Sequence, residues 1–203
     1  SSIRTANIPI LKDSTTGEYL SSDLDAFYFL RIAEAIDSPE GLPEVDAMRY
    51  VPLKAPFLKE VLPDMLVWIK SIYGLFGSAI SIEYSCVISG VIFYALGLAA
   101  FFFMSLALTR SKSVSLIGGL LLGFVPSYLF RTSAGYCDHD PIGMFSFFLL
   151  IMCQVVALKI LDKQNHFGKS NVIKSALAGL VVAFFTAFAL ASWGGLARFV
   201  LMI

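Results

Sequence analysis

The stretch Arg131-Thr132-Ser133-Ala134-Gly135-Tyr136-Cys137-Asp138-His139-Asp140 lies between two apolar runs, 113–130 and 141–158. Each run has about 18 residues and no charge, long enough for a helix to cross the hydrocarbon core of a bilayer. A connector between two such helices needs only a few turn residues. This one carries an arginine, a histidine and two carboxylates one residue apart. Paired acids at a membrane surface point to a divalent-cation site, because oxygen-rich ligand sets suit Mg²⁺, Mn²⁺ or Ca²⁺.

The composition agrees with a membrane setting. Of the 203 residues 57% are apolar and only 15% are charged, against about 25% charged in an ordinary soluble domain. The 15 basic and 15 acidic residues cancel, and the basic ones do not gather into the patch that nucleic acid requires. The expected surroundings are therefore a lipid bilayer, with no nucleic acid. Cys86, Cys137 and Cys153 show no CxxC spacing, so no disulfide framework is implied. The sequence opens on Ser-Ser and stops at Ile203 inside an apolar run, and is read as a piece of a larger membrane protein.

Residues 1–83 read as a first loop outside the cytoplasm, polar over 1–55. Ser22 with Asp25 three residues on fits a capping box, and Leu24, Phe27, Tyr28 and Arg31 recur at helical spacing, which predicts a helix over 23–37. Asp23 and Asp25 then sit at the positive end of its dipole. Residues 56–76 are apolar, but Lys59, Glu60, Asp64 and Lys70 fall on one arc of a helical wheel. Burying four ionisable groups in hydrocarbon costs about 2.5–3.5 kcal/mol each. An interfacial amphipathic helix, broken at Pro63 and anchored by Trp68, avoids that cost.

Residues 84–203 predict membrane helices at about 84–109, 113–130, 141–162 and 173–195, with another starting at 196. Pro126 should kink or end the second, and Pro141 suits the start of the third. Ala176, Ala178, Gly179, Ala183 and Ala187 let the fourth pack closely. The basic turns 110–112 and 159–174 fall on one side, which the positive-inside rule assigns to the cytoplasm. Asp25, Asp138 and Asp140 then share the outer face, provided 56–76 does not cross. The fold class is a polytopic, all-α membrane bundle with a helical external loop.

Bland readings stand beside these. Asp23 reads as helix-start chemistry and Asp25 as a capping acid. Cys137 and His139 offer a weak zinc signal, and His166 reads as a surface residue. Arg131 could snorkel to the headgroups, pair with Asp138, or contact a phosphorylated lipid.

Three segments, in order, resemble the catalytic subunit of oligosaccharyltransferase of the archaeal and eukaryotic type. They are Asp25-Ala26-Phe27-Tyr28-Phe29-Leu30-Arg31; Arg131-x-x-Ala134-Gly135-x-x-Asp138-x-Asp140; and Ser192-Trp193-Gly194-Gly195. Tyr50-Val51-Pro52-Leu53 is a fainter echo. Ala26 stands where many members have proline, and Leu196-Ala197-Arg198 departs from the usual aromatic continuation. The resemblance spans about 20–195 and implies the GT-C glycosyltransferase fold. The implied activity is N-glycosylation, with transfer of an oligosaccharide from a dolichol-linked phosphate or pyrophosphate donor to asparagine in Asn-x-Ser/Thr of an acceptor polypeptide. It implies Mg²⁺ or Mn²⁺, with Asp25, Asp138 and Asp140 as ligands, and Asp25, Asp138 and Arg131 as catalytic residues. The implied location is the cell membrane of an archaeon or the endoplasmic reticulum membrane, with the active face outside the cytoplasm. The implied family's first helix, a later catalytic glutamate and the sequon-reading domain are not in this sequence, so the fragment alone is expected to be inactive. Competing readings are another lipid-phosphate-sugar glycosyltransferase, such as a protein mannosyltransferase, and an ion-coupled transporter.

Overall fold

A computed structural model describes residues 2–53, 55–57, 60–162 and 169–201. Lys59 and His166, used in the readings above, and residues 163–168 of the basic turn lie outside the described residues. The chain is mostly helical and divides into two compact units, Ser1–Val91 with Ser133–Asp138, and Ile92–Thr132 with His139–Ile203.

In the first unit a short helix α1 (Ser2–Thr5) and a 3₁₀ turn (Ile8–Leu11) precede α2 (Leu24–Asp37). The cap of α2 is Asp23, one residue later than the expected serine. Its backbone is extended, and its Oδ1 accepts the Leu24 N–H at 2.9 Å. A carboxylate there satisfies an orphan donor and also carries the sign of charge the dipole favours. The buried stripe is Ala26, Phe29, Leu30 and Ala33, whereas Leu24 is 86% exposed. The residues that announce the helical period are thus not its core face. The methyl-sized Ala26 is what lets this side seat, with its carbonyl 4.0 Å from the Cys86 sulfur.

Helix α3 (Val61–Leu75) is continuous through Pro63, contrary to the expected break. Pro63 is the third residue of the helix, where the missing N–H has no partner to lose. Leu62, Leu66 and Ile69 are buried, while Trp68, Ile72 and Leu75 stay exposed. Lys70 pairs with Asp37 at the end of α2.

A two-residue hairpin, β1 (Val45–Asp46) against β2 (Ala55–Pro56), places Asp46 under Arg31. The Arg31 guanidinium meets both carboxylate oxygens, with Nη1 2.8 Å from Oδ1, and the Met48 N–H donates to Oδ1 at 3.0 Å. Asp46 is 1% exposed. The Arg31 fork holds its carboxyl below the ordinary carboxylate range. A depressed pKa stabilises the fold at pH above the unfolded value, and that contribution is lost as pH falls through the folded value. Asp46→Asn should therefore lower Tm at neutral pH. The gap from wild type should close as the pH falls below the ordinary carboxylate range and through the depressed value of Asp46, a trend read by thermal unfolding in detergent. A gap that widens on acidification would contradict it.

Three helices are long and apolar enough to cross a membrane: α4 (Ile82–Thr109), α7 (His139–Asp162) and the Asn171–Gly195 part of α8 (Lys169–Leu201). The chain is a multi-pass membrane protein. The apolar run 113–130 forms two helices, α5 (Lys112–Phe124) and α6 (Pro126–Arg131), with the break where Pro126 was expected to kink or end it. Val125 between them has ψ 122, because the ring of a following proline disfavours helical geometry at the residue before it. The 13 residues of α5 reach only about 20 Å, short of the roughly 30 Å hydrocarbon core. In this second unit α7 and α8 pack through Leu150 and Ala189, with Phe147, Ile151, Val182 and Phe185 around them. Lys159 donates to the Ala107 carbonyl in the last turn of α4, where a cation meets the negative end of the dipole.

Candidate functional site

The site of the first unit is built on Ala134 and Gly135. All four of their backbone polar groups are tied. The Ala134 N–H donates to the Arg4 carbonyl at 2.8 Å, and the Gly135 N–H to the Val87 carbonyl of α4 at 2.8 Å. The Ala134 carbonyl accepts from Asn7 Nδ2 at 2.6 Å, and the Gly135 carbonyl from the Ser22 N–H at 2.9 Å. Gly135 needs to be glycine: its φ is +86°, and a Cβ there would lie 2.7 Å from Leu11 Cδ1 and 2.8 Å from Ser22 Oγ.

The Ser22–Gly135 bond sets the register between the start of α2 and the loop. One residue after Ser22 comes Asp23, and three after Gly135 comes Asp138. Asp23, Asp25 and Asp138 each offer a carboxylate oxygen, and these atoms all lie within 4.8 Å of one another. Asp138 is 4% exposed, Asp23 is half-buried and Asp25 is exposed. Three like charges this close repel, and a cation or proton shared among them relieves that repulsion. Asp23 was read from the sequence as helix-start chemistry. It is the cap of α2 and also part of the trio, a double use that the Asp23-x-Asp25 spacing could have signalled.

Cys137, offered by the sequence beside His139 for zinc, is wholly buried. Burial pushes its thiol well above the ordinary range, and the neighbouring Cys86 adds to the effect. A metal needs the thiolate, so Cys137 belongs to the packing of this unit.

In the second unit, Asp140 is not a loop residue but lies in the first turn of α7. Arg131, the last residue of α6, reaches it with Nη1 2.9 Å from Oδ2. His139 stacks at a tilt on Trp193, ring centres 5.2 Å apart. Trp193 leaves helical geometry inside α8 (φ −159, ψ 88). Its ring fills the space a side chain at Gly143 would need, since a Cβ there would lie 2.8 Å from Trp193 Cε3. A cavity of about 270 Å³ is lined by Tyr128, Arg131, Thr132, Asp140, Met144 and Trp193, among others. Arg131 and Asp140 are its charged side chains, and the Arg131 side chain is 47% exposed.

Solved structures similar to this chain include an archaeal oligosaccharyltransferase. The chain is similar to the archaeal oligosaccharyltransferase AglB from Archaeoglobus fulgidus in complex with an inhibitory peptide and a dolichol-phosphate, with TM-score 0.75, 19% identity, and coverage of 96% of this chain and 22% of that one. It is also similar to the Archaeoglobus fulgidus oligosaccharyltransferase in complex with Zn and sulfate (TM-score 0.69, 19% identity, 96% and 24% covered). The form tethered to an acceptor peptide containing the NVT sequon gives TM-score 0.71 at 17% identity, with 96% and 23% covered. The chain thus spans under a quarter of the length of these structures, and the expected GT-C membrane fold is shown. No curated protein matches it. Residues 11–203 match the family model described as oligosaccharyl transferase STT3, N-terminal. That match sets the transporter and mannosyltransferase readings aside, and the chain belongs to the STT3 oligosaccharyl transferase family, of which it carries the N-terminal part.

Proposed function

We propose that this chain supplies the acidic part of an oligosaccharyltransferase site in N-glycosylation, on the extracytoplasmic or lumenal face of a cell or endoplasmic reticulum membrane. The donor is a dolichol-linked oligosaccharide phosphate or pyrophosphate, and the acceptor is asparagine in Asn-x-Ser/Thr. The observation that carries the reading is the convergence of Asp23, Asp25 and Asp138. An all-oxygen donor set of this kind fits Mg²⁺ or Mn²⁺. Asp25 and Asp138 would hold the ion, joined by Asp23, and a divalent ion there supplies countercharge for departing phosphate oxygens. The relative solved with Zn and those solved with dolichol-phosphate and an acceptor peptide support a divalent ion, a lipid-linked donor and a peptide acceptor.

The chain's own residues do the rest. An asparagine amide is a poor nucleophile because its lone pair is delocalised into the carbonyl. Asp25 is the exposed member of the trio, so a polypeptide can reach it. Its carboxylate accepts an amide hydrogen and weakens that conjugation. Asp138, buried beneath, fixes where charge is held. Arg131 orients Asp140, whose Oδ2 it occupies, so Asp140 is assigned a supporting role, and the half-exposed guanidinium can also face a donor phosphate.

The test uses membranes containing the full-length gene product, a lipid-linked oligosaccharide and a peptide with an Asn-x-Thr sequon. Glycopeptide should form with Mn²⁺, and should fall more than about a hundredfold after chelation, with recovery on adding Mn²⁺ back. Undiminished transfer after chelation would overturn the metal assignment, and no transfer in any condition would overturn the activity.

A further inference from the structure

We infer that Asn7 is a positioning residue for the carboxylate trio, acting through Ala134; this rests on the metal reading just given. Asn7 lies upstream of the residues 11–203 matched by the family model. The loop Ser133–Asp138 belongs to the same compact unit as the N-terminal residues. Asn7 is the one side chain among the four groups that tie Ala134 and Gly135; the Arg4 carbonyl, the Val87 carbonyl and the Ser22 N–H are backbone and indifferent to substitution.

The orientation of the Asn7 amide follows from its partner. A carbonyl can only accept, so the group 2.6 Å from the Ala134 oxygen is the Nδ2 donor. Ala134 is 1% exposed, so water cannot replace a lost donor without entering a packed site. Four residues further on, Asp138 takes its place beside Asp23 and Asp25. Without the Asn7 donor Ala134 is held by its bond to the Arg4 carbonyl alone, so the loop that carries Asp138 is less firmly seated against the start of α2. The carboxylates then spread, which costs metal affinity before it costs the fold, as loss of an outer-sphere partner does in other metal sites.

The measurement is Mn²⁺ binding to the detergent-solubilised full-length protein, followed by electron paramagnetic resonance of free Mn²⁺. Asn7→Ala and the near-isosteric Asn7→Asp should weaken Mn²⁺ binding about tenfold or more at unchanged stoichiometry. Asn7→Ser, which keeps a donor, should fall between them and wild type. In transfer assays the Mn²⁺ concentration for half-maximal rate should rise in step, while kcat recovers at saturating Mn²⁺. A lowered metal-free Tm with unchanged Mn²⁺ affinity would make Asn7 merely structural and overturn the inference. If Asn7→Ala does not reach the membrane folded, Asn7→Ser and Asn7→Asp carry the same comparison. Asp138→Asn is the control: if it binds Mn²⁺ like wild type, the metal site itself is misassigned. Lost binding in Asp138→Asn with wild-type affinity in every Asn7 variant rejects the role of Asn7 alone.

Discussion

Asp138→Asn in the full-length protein should cut sequon glycosylation by more than about a hundredfold and lower Mn²⁺ affinity at least as much, exceeding the 10–100-fold typical of outer-sphere substitutions. Asparagine is the informative replacement. It keeps the shape of the side chain and, at the residue before α7, caps a helix about as well as aspartate. Helix α7 and membrane insertion should therefore survive. Asp23→Asn separates the two roles of that residue in the same way: α2 stays capped, while metal binding weakens. Asp140→Asn should act more mildly, because Asp140 is already engaged by Arg131. Full transfer activity in Asp138→Asn would remove the foundation of the metal reading.

What could be read from the sequence was set by patterns that are local. Apolar runs fixed α4, α7 and α8 as spanning helices, since solvent exclusion acts on composition along one segment. The spacing of Asp138 and Asp140 marked the loop as chemical, but not which further groups each acid meets. Asp140 lies in the first turn of α7 and pairs with Arg131, while Asp138 comes beside Asp23 and Asp25 at the start of α2. The place of Asp140 depends on where a helix begins, and a boundary shift of two residues, from 141 to 139, decided it. Asp23 was explained as a cap because a helix start gives a sufficient local reason for an aspartate, which left its place among the ligands open. The long-range Ser22–Gly135 bond is what brings it beside Asp138. The break at Val125 was foreshadowed by Pro126, whereas the continuity of α3 through Pro63 turned on Pro63 falling within the first turn. The Arg31–Asp46 pair was not legible at all, because its partners stand fifteen positions apart, across the end of α2 and the loop that follows it.

Gly135→Ala should damage both the fold and the site, and the other glycines allow the two effects to be separated. Gly77 and Gly41 also have positive φ, +78° and +71°, yet nothing lies within 4 Å of a Cβ at either. Alanine at those positions meets only the left-handed backbone penalty, about 1–3 kcal/mol for a non-glycine residue. At Gly135 the same penalty applies, and the new methyl also meets Leu11 Cδ1 and Ser22 Oγ. Leu11 can swing a methyl away. Ser22 must turn its hydroxyl away beside its own N–H bond to the Gly135 carbonyl, the bond that sets the register of Asp23 against Asp138. Gly135→Ala should thus lower Tm beyond Gly77→Ala and, unlike it, weaken Mn²⁺ binding by at least the tenfold expected of Asn7→Ala. Thermal unfolding and Mn²⁺ titration on the three detergent-solubilised variants measure this. Equal losses in Gly135→Ala and Gly77→Ala, with Mn²⁺ affinity intact in both, would mean that the Ala134–Gly135 tie does not bring the carboxylates together.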